Sequence, residues 1–202
     1  MMRLGMVIDL RRCVGCYGCQ HVCKAENGTP PGMFFGRVIK REEGSYPTTT
    51  QLFLPVLCNH CTDAPCVDVC PTEASHYAEH GIVDIDHDKC VGCHSCMVAC
   101  PYTNRYFNDE RRNYFGDSGP TPYEEARVAR HPEGVVMKCN FCRPRLAEGK
   151  LPACVDNCAS NARTFGDLDD PNSEVSRLIK ERGGFTLHPE AGTSPNVYYL
   201  ST

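Results

Sequence analysis

The chain has 202 residues, of which 16 are cysteine, and carries a formal net charge of −4. This length is enough for one substantial domain or two small ones. The acidic balance argues against a nucleic-acid partner. No run approaches the roughly 18 to 20 consecutive apolar residues that span a bilayer, so contact with a membrane is expected only through a partner. Residues 1–10 are too short and too charged for a secretory signal, and none is expected.

The first predicted element is a strand, LGMVIDL, which lies directly before a group of four cysteines. This is group I, with the spacing C-x2-C-x2-C-x3-C; it consists of Cys13, Cys16, Cys19 and Cys23. The stretch from Lys24 to Thr50 contains NGTPPG, and it is therefore predicted to be loop-rich.

Two cysteine groups follow within residues 51–107. The predicted strand LFLPV precedes group II, which consists of Cys58, Cys61, Cys66 and Cys70. A helical turn is predicted from Val67 to Cys70, and a hairpin in SHYAEHGIVDID with its turn at His80-Gly81. Group III repeats the spacing of group I and consists of Cys90, Cys93, Cys96 and Cys100. A second helical turn, from Met97 to Cys100, and the short stretch RYF come next.

A cysteine-free insertion occupies residues 108–136. Within it, Thr121 and Glu124 make a capping box with Pro122 at the first helical position, which predicts a short helix to about Arg130. Two roles are open for this helix, a solvated decoration and a contact between subunits.

The last part of the chain begins with group IV, whose middle gap is lengthened to eleven residues; it consists of Cys139, Cys142, Cys154 and Cys158. A strand is predicted at ARTFGDL. A helix is predicted to start at Asp170-Pro171 and to stop at Gly183-Gly184, with Val175, Leu178 and Ile179 on one buried face. The carboxylates of GDLDD are expected to cap it.

The spacing of these groups indicates iron-sulfur chemistry. The run C-x2-C-x2-C-x3-C-P is the bacterial ferredoxin pattern for a [4Fe-4S] cluster, and CVGCHSCMVACP matches it completely. Three close thiolates wrap one cluster, while the fourth lies about one helical turn onward and points toward a second cluster. Each group therefore implies a partner group. Pro71 and Pro101 follow groups II and III, whereas Lys24 and Ala159 stand at that position in groups I and IV.

Zinc and disulfides are the competing interpretations of so many cysteines. Zinc joins two C-x2-C pairs across a spacer and has no use for the remaining cysteines of each group. A disulfide framework is typical of shorter secreted chains and needs no repeated spacing. His21, His60 and His94 lie among the groups; they are predicted to be loop residues or hydrogen-bond donors rather than ligands, since sixteen cysteines already complete four sets.

The predicted fold is α+β, with two nested bacterial-ferredoxin-like units, each 2×[4Fe-4S], and loop-rich insertions. Groups II and III form the inner unit, residues 51–107. Groups I and IV each have three close cysteines and a fourth that points away. They are therefore predicted to pair in an outer unit made of residues 1–50 and 137–202, which includes the C-terminal helix. Residues 108–136 form the insertion.

The sequence contains no dinucleotide-binding, Walker A or nucleophile-elbow motif, so the chain is expected to have no active site of its own. A protein with four clusters and no machinery for a substrate relays electrons between other sites. The polypeptide sets the cluster potentials through hydrogen bonds to sulfur, burial and local charge.

Five stretches cover nearly the whole chain: MVIDLRRCVGCYGCQHVCKAEN, LCNHCTDAPCVDVCPTEA, KCVGCHSCMVACPY, KCNFCRPRLAEGKLPACVDNC and RTFGDLDDPNSEVSRLI. In these stretches the chain resembles the four-cluster iron-sulfur subunits of molybdopterin oxidoreductases, such as dimethyl sulfoxide, polysulfide, tetrathionate and respiratory arsenate reductases. The resemblance implies an electron-transfer role in anaerobic respiration.

The resemblance also implies four ligand sets, each named here after the group that supplies three of its cysteines. Site I takes Cys13, Cys16, Cys19 and Cys158, and site IV takes Cys139, Cys142, Cys154 and Cys23. Site II takes Cys58, Cys61, Cys66 and Cys100, and site III takes Cys90, Cys93, Cys96 and Cys70. Some relatives lack one cysteine of the third group and hold a three-iron cluster; Cys93 is present here, so four [4Fe-4S] clusters are expected.

The partners implied by the resemblance are a large molybdenum or tungsten pterin catalytic subunit and, in many complexes, an integral membrane subunit that handles quinol. Sites I and IV would lie toward the catalytic subunit, and sites II and III toward the membrane. The implied location is periplasmic, after export with a signal-bearing partner; a cytoplasmic location is the alternative. Two other functions stay open, a free-standing soluble polyferredoxin that serves several redox enzymes and a zinc-stabilised interaction module.

Overall fold

The computed structural model describes residues 2–110, 112–128 and 130–201, and it mixes short helices with short strands. The strands in these ranges are β1 (Leu4–Asp9), β2 (Gly36–Glu43), β3 (Thr50–Leu57), β4 (Ser75–Tyr77), β5 (Val83–Ile85), β6 (Tyr106–Asn108), β7 (Val135–Met137), β8 (Arg163–Asp167) and β9 (Val197–Leu200). The α-helices are α1 (Gly18–Asn27), α2 (Pro65–Asp68), α3 (Ser95–Ala99), α4 (Pro122–Val128), α5 (Arg143–Ala147), α6 (Ala153–Asp156) and α7 (Glu174–Arg182).

A three-stranded sheet joins the two ends of the described chain. Its central strand, β1, is antiparallel to β8 and parallel to β9, so that Met6 lies opposite both Phe165 and Val197. The predicted strands before Cys13 and after Cys158 are confirmed. This pairing carries the residues that follow β1 and those that precede β8, and with them groups I and IV, to one end of the sheet.

Helix α7 covers one face of this sheet. Val175 is fully buried against Val7 and Leu200, and the half-buried Leu178 and Ile179 pack on the same cluster, which confirms the predicted apolar face. The predicted start at Asp170-Pro171 is a few residues early. Ser173 is the N-cap, because its hydroxyl accepts the amide of Ser176 at 3.2 Å. The helix ends as predicted at Gly183, whose left-handed backbone (φ 64°) closes the last turn.

The stretch predicted to be loop-rich contains a strand. β2 pairs with β3 over its whole length, from Gly36 opposite Leu57 to Glu43 opposite Thr50, and the predicted strand LFLPV is part of β3. Residues 39–51 are all exposed, so the outer half of this hairpin is a two-stranded ribbon without a core of its own. The turns predicted around NGTPPG are present. The polar sequence of β2 does not predict a strand, and β2 is a strand because it pairs with β3.

Two short ribbons lie beside groups II and III. β4 and β5 form the predicted hairpin, with a 3₁₀ turn at Glu79–Gly81 between them, and β6 pairs with β7 across the insertion. The predicted helical turns are present, but each begins about two residues before its predicted start. α2 starts at Pro65 because proline at the first helical position needs no hydrogen-bonded amide.

The insertion contains the predicted capping box and helix. The amide of Thr121 donates to the Glu124 carboxylate at 2.8 Å, and the amide of Glu124 donates to the Thr121 hydroxyl at 3.3 Å. α4 ends at Val128, short of the predicted Arg130, and Ala129 lies outside the described residues. Arg127 donates to the carbonyl of Glu26 at 2.9 Å, so α4 is tied to the C-terminal end of α1.

The core is rich in cysteine. One cluster of buried side chains combines Met6, Leu57, Phe141 and Tyr199 with the cysteines Cys23, Cys58 and Cys139. A second cluster combines Ala64, Val83 and Val136 with Cys61, Cys66 and Cys96. The thiols therefore lie where other proteins of this size place aliphatic side chains. In the part of the chain that the structure describes, no helix is both long enough and apolar enough to cross a membrane.

Candidate metal centres

The loops of groups I and III repeat one backbone shape. Gly15 and Gly92, each two residues after the first cysteine of its group, both have φ 65°. Tyr17 and His94, each one residue after the second cysteine, have φ 59° and 64° and precede the helices α1 and α3. Alternating left-handed residues curl the backbone so that neighbouring cysteines turn toward a common centre.

Groups II and IV share another loop, which begins Cys-Asn-His-Cys in one and Cys-Asn-Phe-Cys in the other. The middle residues, His60 and Phe141, both have left-handed backbones, and their rings stack with centroids 3.7 Å apart and an interplanar angle of 27°. His60 is fully buried, and its Nδ1 accepts the amide of Val83 at 3.2 Å. The two loops thus meet ring to ring in the centre of the molecule.

Two cavities are lined by cysteines drawn from two groups, five cysteines in the first and four in the second. The cysteines around the first, where about 390 Å³ is free of protein atoms, are Cys139, Cys142 and Cys154 of group IV with Cys23 and Cys19 of group I, which both lie on α1. The cysteines around the second, of about 330 Å³, are Cys70, Cys90, Cys93 and Cys96. In both cavities, three cysteines of one group are joined by the last cysteine of another.

The remaining cysteines also lie near members of a second group. Burial raises the pKa of Cys13, and the neighbouring charges of Cys19 and Cys158 raise it further. Burial raises the pKa of Cys61 to about 12, with contributions from Cys58, Cys66 and Cys100. The last cysteines, Cys158 and Cys100, are therefore close to groups other than their own.

The neighbourhoods of these thiols form a line. Burial raises the pKa of Cys154, with a further contribution from Cys19, which connects groups IV and I. Burial likewise raises the pKa of Cys139, with a contribution from Cys58, which connects groups IV and II at the stacked rings. The order along the line is group I, group IV, group II and group III.

Amide donors reach the sulfurs of the last cysteines of two groups. The amide of Ser75 donates to the sulfur of Cys70 at 3.3 Å, and that of Ala162 donates to Cys158 at 3.2 Å. Although burial alone would raise it, the pKa of each of these thiols is lowered by such hydrogen bonds. Both sulfurs are prepared to carry the negative charge that a metal ligand needs.

Two buried arginines point at sulfur, and no motif in the sequence indicates them. Arg163 donates to Cys19 at 3.4 Å and to Cys154 at 3.7 Å, and Arg105 donates to Cys66 at 2.9 Å and to Ser75 at 2.7 Å. The available signal is positional: Arg105 follows Cys100 by five residues, and Arg163 follows Cys158 by five residues.

Several buried donors beside these thiols lack a protein acceptor in the described residues. They are Nε2 of His60 together with Nε and Nη1 of Arg105. A buried donor without an acceptor costs roughly 1 to 3 kcal/mol, and a charged donor costs more. A sulfur-rich anionic group among the cysteines would accept these hydrogen bonds, so the chemistry of the residues present fits iron-sulfur clusters.

A site for a single metal ion needs at least three ligating side chains close together. Within residues 2–110, 112–128 and 130–201, no three His, Cys, Asp or Glu side chains lie close enough together to share one ion.

The two ends of the cysteine line are exposed. Cys16 in group I and Cys93 in group III are exposed, whereas every other cysteine is buried or half-buried. Val14 and Val91, each one residue after the first cysteine of its group, are 63% and 66% exposed. Groups I and III therefore reach the surface, while groups IV and II lie between them.

The departures from the Cys-Pro pattern have a structural explanation at Lys24. With lysine after Cys23, α1 continues to Asn27 instead of ending. The Lys24 amine donates to the carbonyls of Thr29, Pro30 and Met33 at 2.8 to 3.2 Å, and it thereby holds the following loop against the helix. No structural account emerges for Ala159.

The sequence also predicts roles for the histidines among the cysteine groups and for the carboxylates of GDLDD. His21 lies on α1 and not in a loop, and its Nδ1 donates to the carbonyl of Tyr17 at 2.9 Å, so of the two predicted roles it has that of a hydrogen-bond donor. The ring of His94 packs edge-on against Phe107. The carboxylates of GDLDD do not cap α7: Asp167 accepts the amide of Arg3 at 2.9 Å, and Asp169 pairs with the Arg3 guanidinium at the same distance. Ser173 takes the capping role because its shorter side chain already lies beside the first helical turn.

Comparison with known proteins shows which family the chain resembles. Residues 49–115 and 118–168 match the 4Fe-4S dicluster domain family. The chain is 44% identical to the arsenate respiratory reductase iron-sulfur subunit ArrB of Shewanella sp. (strain ANA-3), over 98% of this chain and 96% of that protein. It is 42% identical to the B subunit of tetrathionate reductase from Salmonella typhimurium, over 98% of this chain and 72% of that protein. It is also 42% identical to the B subunit of selenate reductase from Mesobacillus selenatarsenatis, over 97% and 71%.

The chain belongs to the 4Fe-4S dicluster family. Within this family it is an iron-sulfur electron-transfer subunit of the molybdopterin oxidoreductase class, which serves anaerobic respiration. Its sixteen cysteines match four [4Fe-4S] clusters. The resemblance noted in the sequence is confirmed at the level of the family, and so is the mixed α and β character of the fold.

Proposed function

We propose that the chain holds its clusters crosswise and passes electrons along a single line between two partner subunits. In each of the four sites, three cysteines come from one group and the fourth from another, as defined above for sites I to IV. When bound, the clusters supply one-electron carriers. The protein residues orient them, exclude water from the two middle sites and leave the two outer sites open.

The observation that carries this proposal is the pair of cavities lined by cysteines of two groups. Cys23 of group I lies with the first three cysteines of group IV, and Cys70 of group II lies with the first three cysteines of group III. The neighbours of Cys13 and Cys61 support the same exchange for Cys158 and Cys100. If each group closed on itself, its fourth cysteine would lie beside its own first three instead.

Crosswise ligation predicts which cysteine variants share a phenotype. Cys158→Ser and Cys16→Ser should remove the same electron paramagnetic resonance (EPR) signal, that of site I, whereas Cys142→Ser should remove a different one. The measurement is EPR of the anaerobically purified, dithionite-reduced protein, with iron determined per chain. The matched comparison is Cys158→Ser against Cys154→Ser, since both residues belong to group IV. Loss of one common signal in these two variants would contradict the crosswise scheme.

The same contacts support a nested organisation. We assign residues 1–50 with 137–202 to an outer ferredoxin-like unit, residues 51–107 to an inner one and residues 108–136 to an insertion. The pairing of β1 with β8 favours the outer unit, and the β4–β5 hairpin between groups II and III favours the inner one. The insertion begins and ends at the paired strands β6 and β7.

The two exposed ends are where partner subunits would dock. We assign the site I end to a large molybdenum or tungsten pterin catalytic subunit and the site III end to an integral membrane quinol-handling subunit or another redox partner. Val14 with Cys16, and Val91 with Cys93, offer apolar contact around an exposed ligand at each end. The relatives named above are themselves subunits of reductases, which supports a complex of this kind. Such a complex would be periplasmic, exported with its signal-bearing partner.

The test is an anaerobic pull-down of the tagged chain from its native host, with iron, molybdenum, tungsten and zinc quantified. We expect about sixteen irons per chain, together with a larger companion that contains molybdenum or tungsten. The same iron content without a companion would establish a free polyferredoxin instead. Stoichiometric zinc in place of iron would refute the electron-transfer function, and recovery from the cytoplasmic fraction alone would refute the assigned location.

A further inference from the structure

Arg163 and Arg105 occupy equivalent places in the two halves of the cysteine line. Each follows the last cysteine of its group by five residues, and each lies at or directly before the start of a strand, β8 or β6. The two residues are 7% and 4% exposed. An arginine buried this deeply normally has a carboxylate partner, because burying an unpaired charge is costly.

These two arginines are paired with sulfur instead. In the described residues, neither guanidinium lies within salt-bridge distance of an aspartate or glutamate. Arg163 donates to Cys19 of group I and to Cys154 of group IV, and it lines the cavity that contains Cys139 and Cys142. Its guanidinium also donates to the sulfur of Met6 at 3.4 Å.

Arg105 makes the corresponding bridge in the other half. It donates to Cys66 of group II and lines the cavity that contains Cys90 and Cys96 of group III. Its Nε and Nη1 have no protein acceptor in the described residues, so these two donors are directed at whatever occupies the space between the thiols. Each arginine therefore touches the ligand loops of two neighbouring sites.

We propose that Arg163 and Arg105 are positioning residues that place one fixed positive charge between the two clusters of each pair and so raise the electron affinity of both. This inference deepens the proposed function, on which it rests only for the existence of the four sites. Reduction adds a negative charge to a cluster, and a buried cation nearby stabilises the reduced form more than the oxidised form. One charge that lies between two sites stabilises an electron on either of them.

The test is a potentiometric titration, followed by EPR, of the full-length chain with its clusters assembled, and it needs no partner subunit. Arg163→Met keeps the apolar stem and removes the charge. We expect the reduction constants of the clusters in sites I and IV to fall about tenfold, which equals about 59 mV for a one-electron couple, with sites II and III unmoved. Arg105→Met should lower the reduction constants of the clusters in sites II and III by a similar factor and leave sites I and IV unmoved.

Three controls make the outcome decisive. Arg163→Lys and Arg105→Lys retain the charge and should recover most of each shift. Arg145→Met is the matched control, since Arg145 is also largely buried beside group IV but pairs with Glu26 and Asp156; it should move no potential. Equal shifts in all four sites, or none in variants with full iron content, would overturn the proposal.

A structural role is separated from a charge effect by iron content. If both Arg163→Met and Arg163→Gln lost the iron of sites I and IV, while Arg163→Lys lost it equally, the residue would be a packing element and the proposal would be wrong. Failure of the proposed function has a different signature, because absence of a companion in the pull-down leaves these potential shifts unchanged.

Discussion

The chain prepared without iron and sulfide is expected to lack a cooperative thermal unfolding transition and to be digested quickly by protease, whereas the reconstituted chain should show both a transition and protection. All cysteines except Cys16 and Cys93 are buried or half-buried, and several belong to the two main core clusters. Without metal, these thiols surround cavities in place of packed side chains, and the buried guanidinium groups lose their counter-charge.

The free energy of metal binding supports this expectation. Burial raises the pKa of Cys66 and of Cys142 to about 11, so at neutral pH these thiols are protonated and uncharged when no metal is bound. Metal binding to a structural site contributes roughly 10 to 16 kcal/mol, as judged from zinc, and this matches the roughly 5 to 15 kcal/mol that stabilises a whole domain. Removing four clusters therefore removes more stability than the chain has.

The measurement is far-UV circular dichroism during heating, together with limited proteolysis, both under anaerobic conditions with and without reconstitution. Cys93→Ser provides a graded control, because it disturbs one exposed ligand and should leave most of the transition in place. An iron-free chain that melts cooperatively near the temperature of the reconstituted chain would show that the apolar core alone specifies the fold.

Gly92→Ala is expected to remove the cluster of site III and to lower the iron content from about sixteen to about twelve per chain. Gly92 has φ 65°, which favours glycine, and a Cβ there would overlap the carbonyl oxygen of Gly134 and press on the ring of Phe107 at 3.0 Å. The backbone of the β6–β7 ribbon has little freedom to retreat, because the amide of Gly134 donates to Asn108 at 2.8 Å and that of Val136 to the sulfur of Cys90 at 3.5 Å.

Two glycines provide matched controls for this variant. Gly116→Ala introduces a side chain at a similar left-handed residue (φ 54°) with no neighbour within 4 Å among the described residues, so it measures the conformational strain alone. In Gly15→Ala the three atoms nearest the new Cβ all belong to the ring of Phe53, a side chain and not backbone, so this variant should reduce the iron of site I less than Gly92→Ala reduces that of site III. Iron analysis with EPR of site III is the measurement; a full complement of iron in Gly92→Ala would contradict the expectation.

Local spacing explains why much of this molecule could be predicted. The groups of cysteines, the hairpin between groups II and III and the capping box at Thr121 all depend on residues a few positions apart, so the chemistry is legible in a short window of sequence. The apolar face of α7 follows from the same short periodicity. The early start assigned to this helix shows the limit of the approach, since several residues near Asp170 could serve as caps and packing selects Ser173.

Long-range partners explain what could not be predicted. β2 is polar along most of its length and becomes a strand only because β3 pairs with it. The roles of Arg105 and Arg163 depend on cysteines 39 and 144 residues away in the chain. The stack of His60 on Phe141 depends on two loops that no spacing rule connects. The repeated five-residue interval after Cys100 and Cys158 is visible in the sequence, but its meaning requires the fold.

The exposure of Cys16 and Cys93 has a chemical cost. The openings that let a partner's redox group approach within electron-transfer distance also admit dioxygen and its reduction products, which attack iron-sulfur clusters and oxidise accessible thiolates. The two middle sites are shielded by packed side chains, whereas each terminal site has one exposed cysteine, Cys16 or Cys93. Assembly with partner subunits would close both openings, so the same contacts that complete the circuit would protect its ends from oxidative damage.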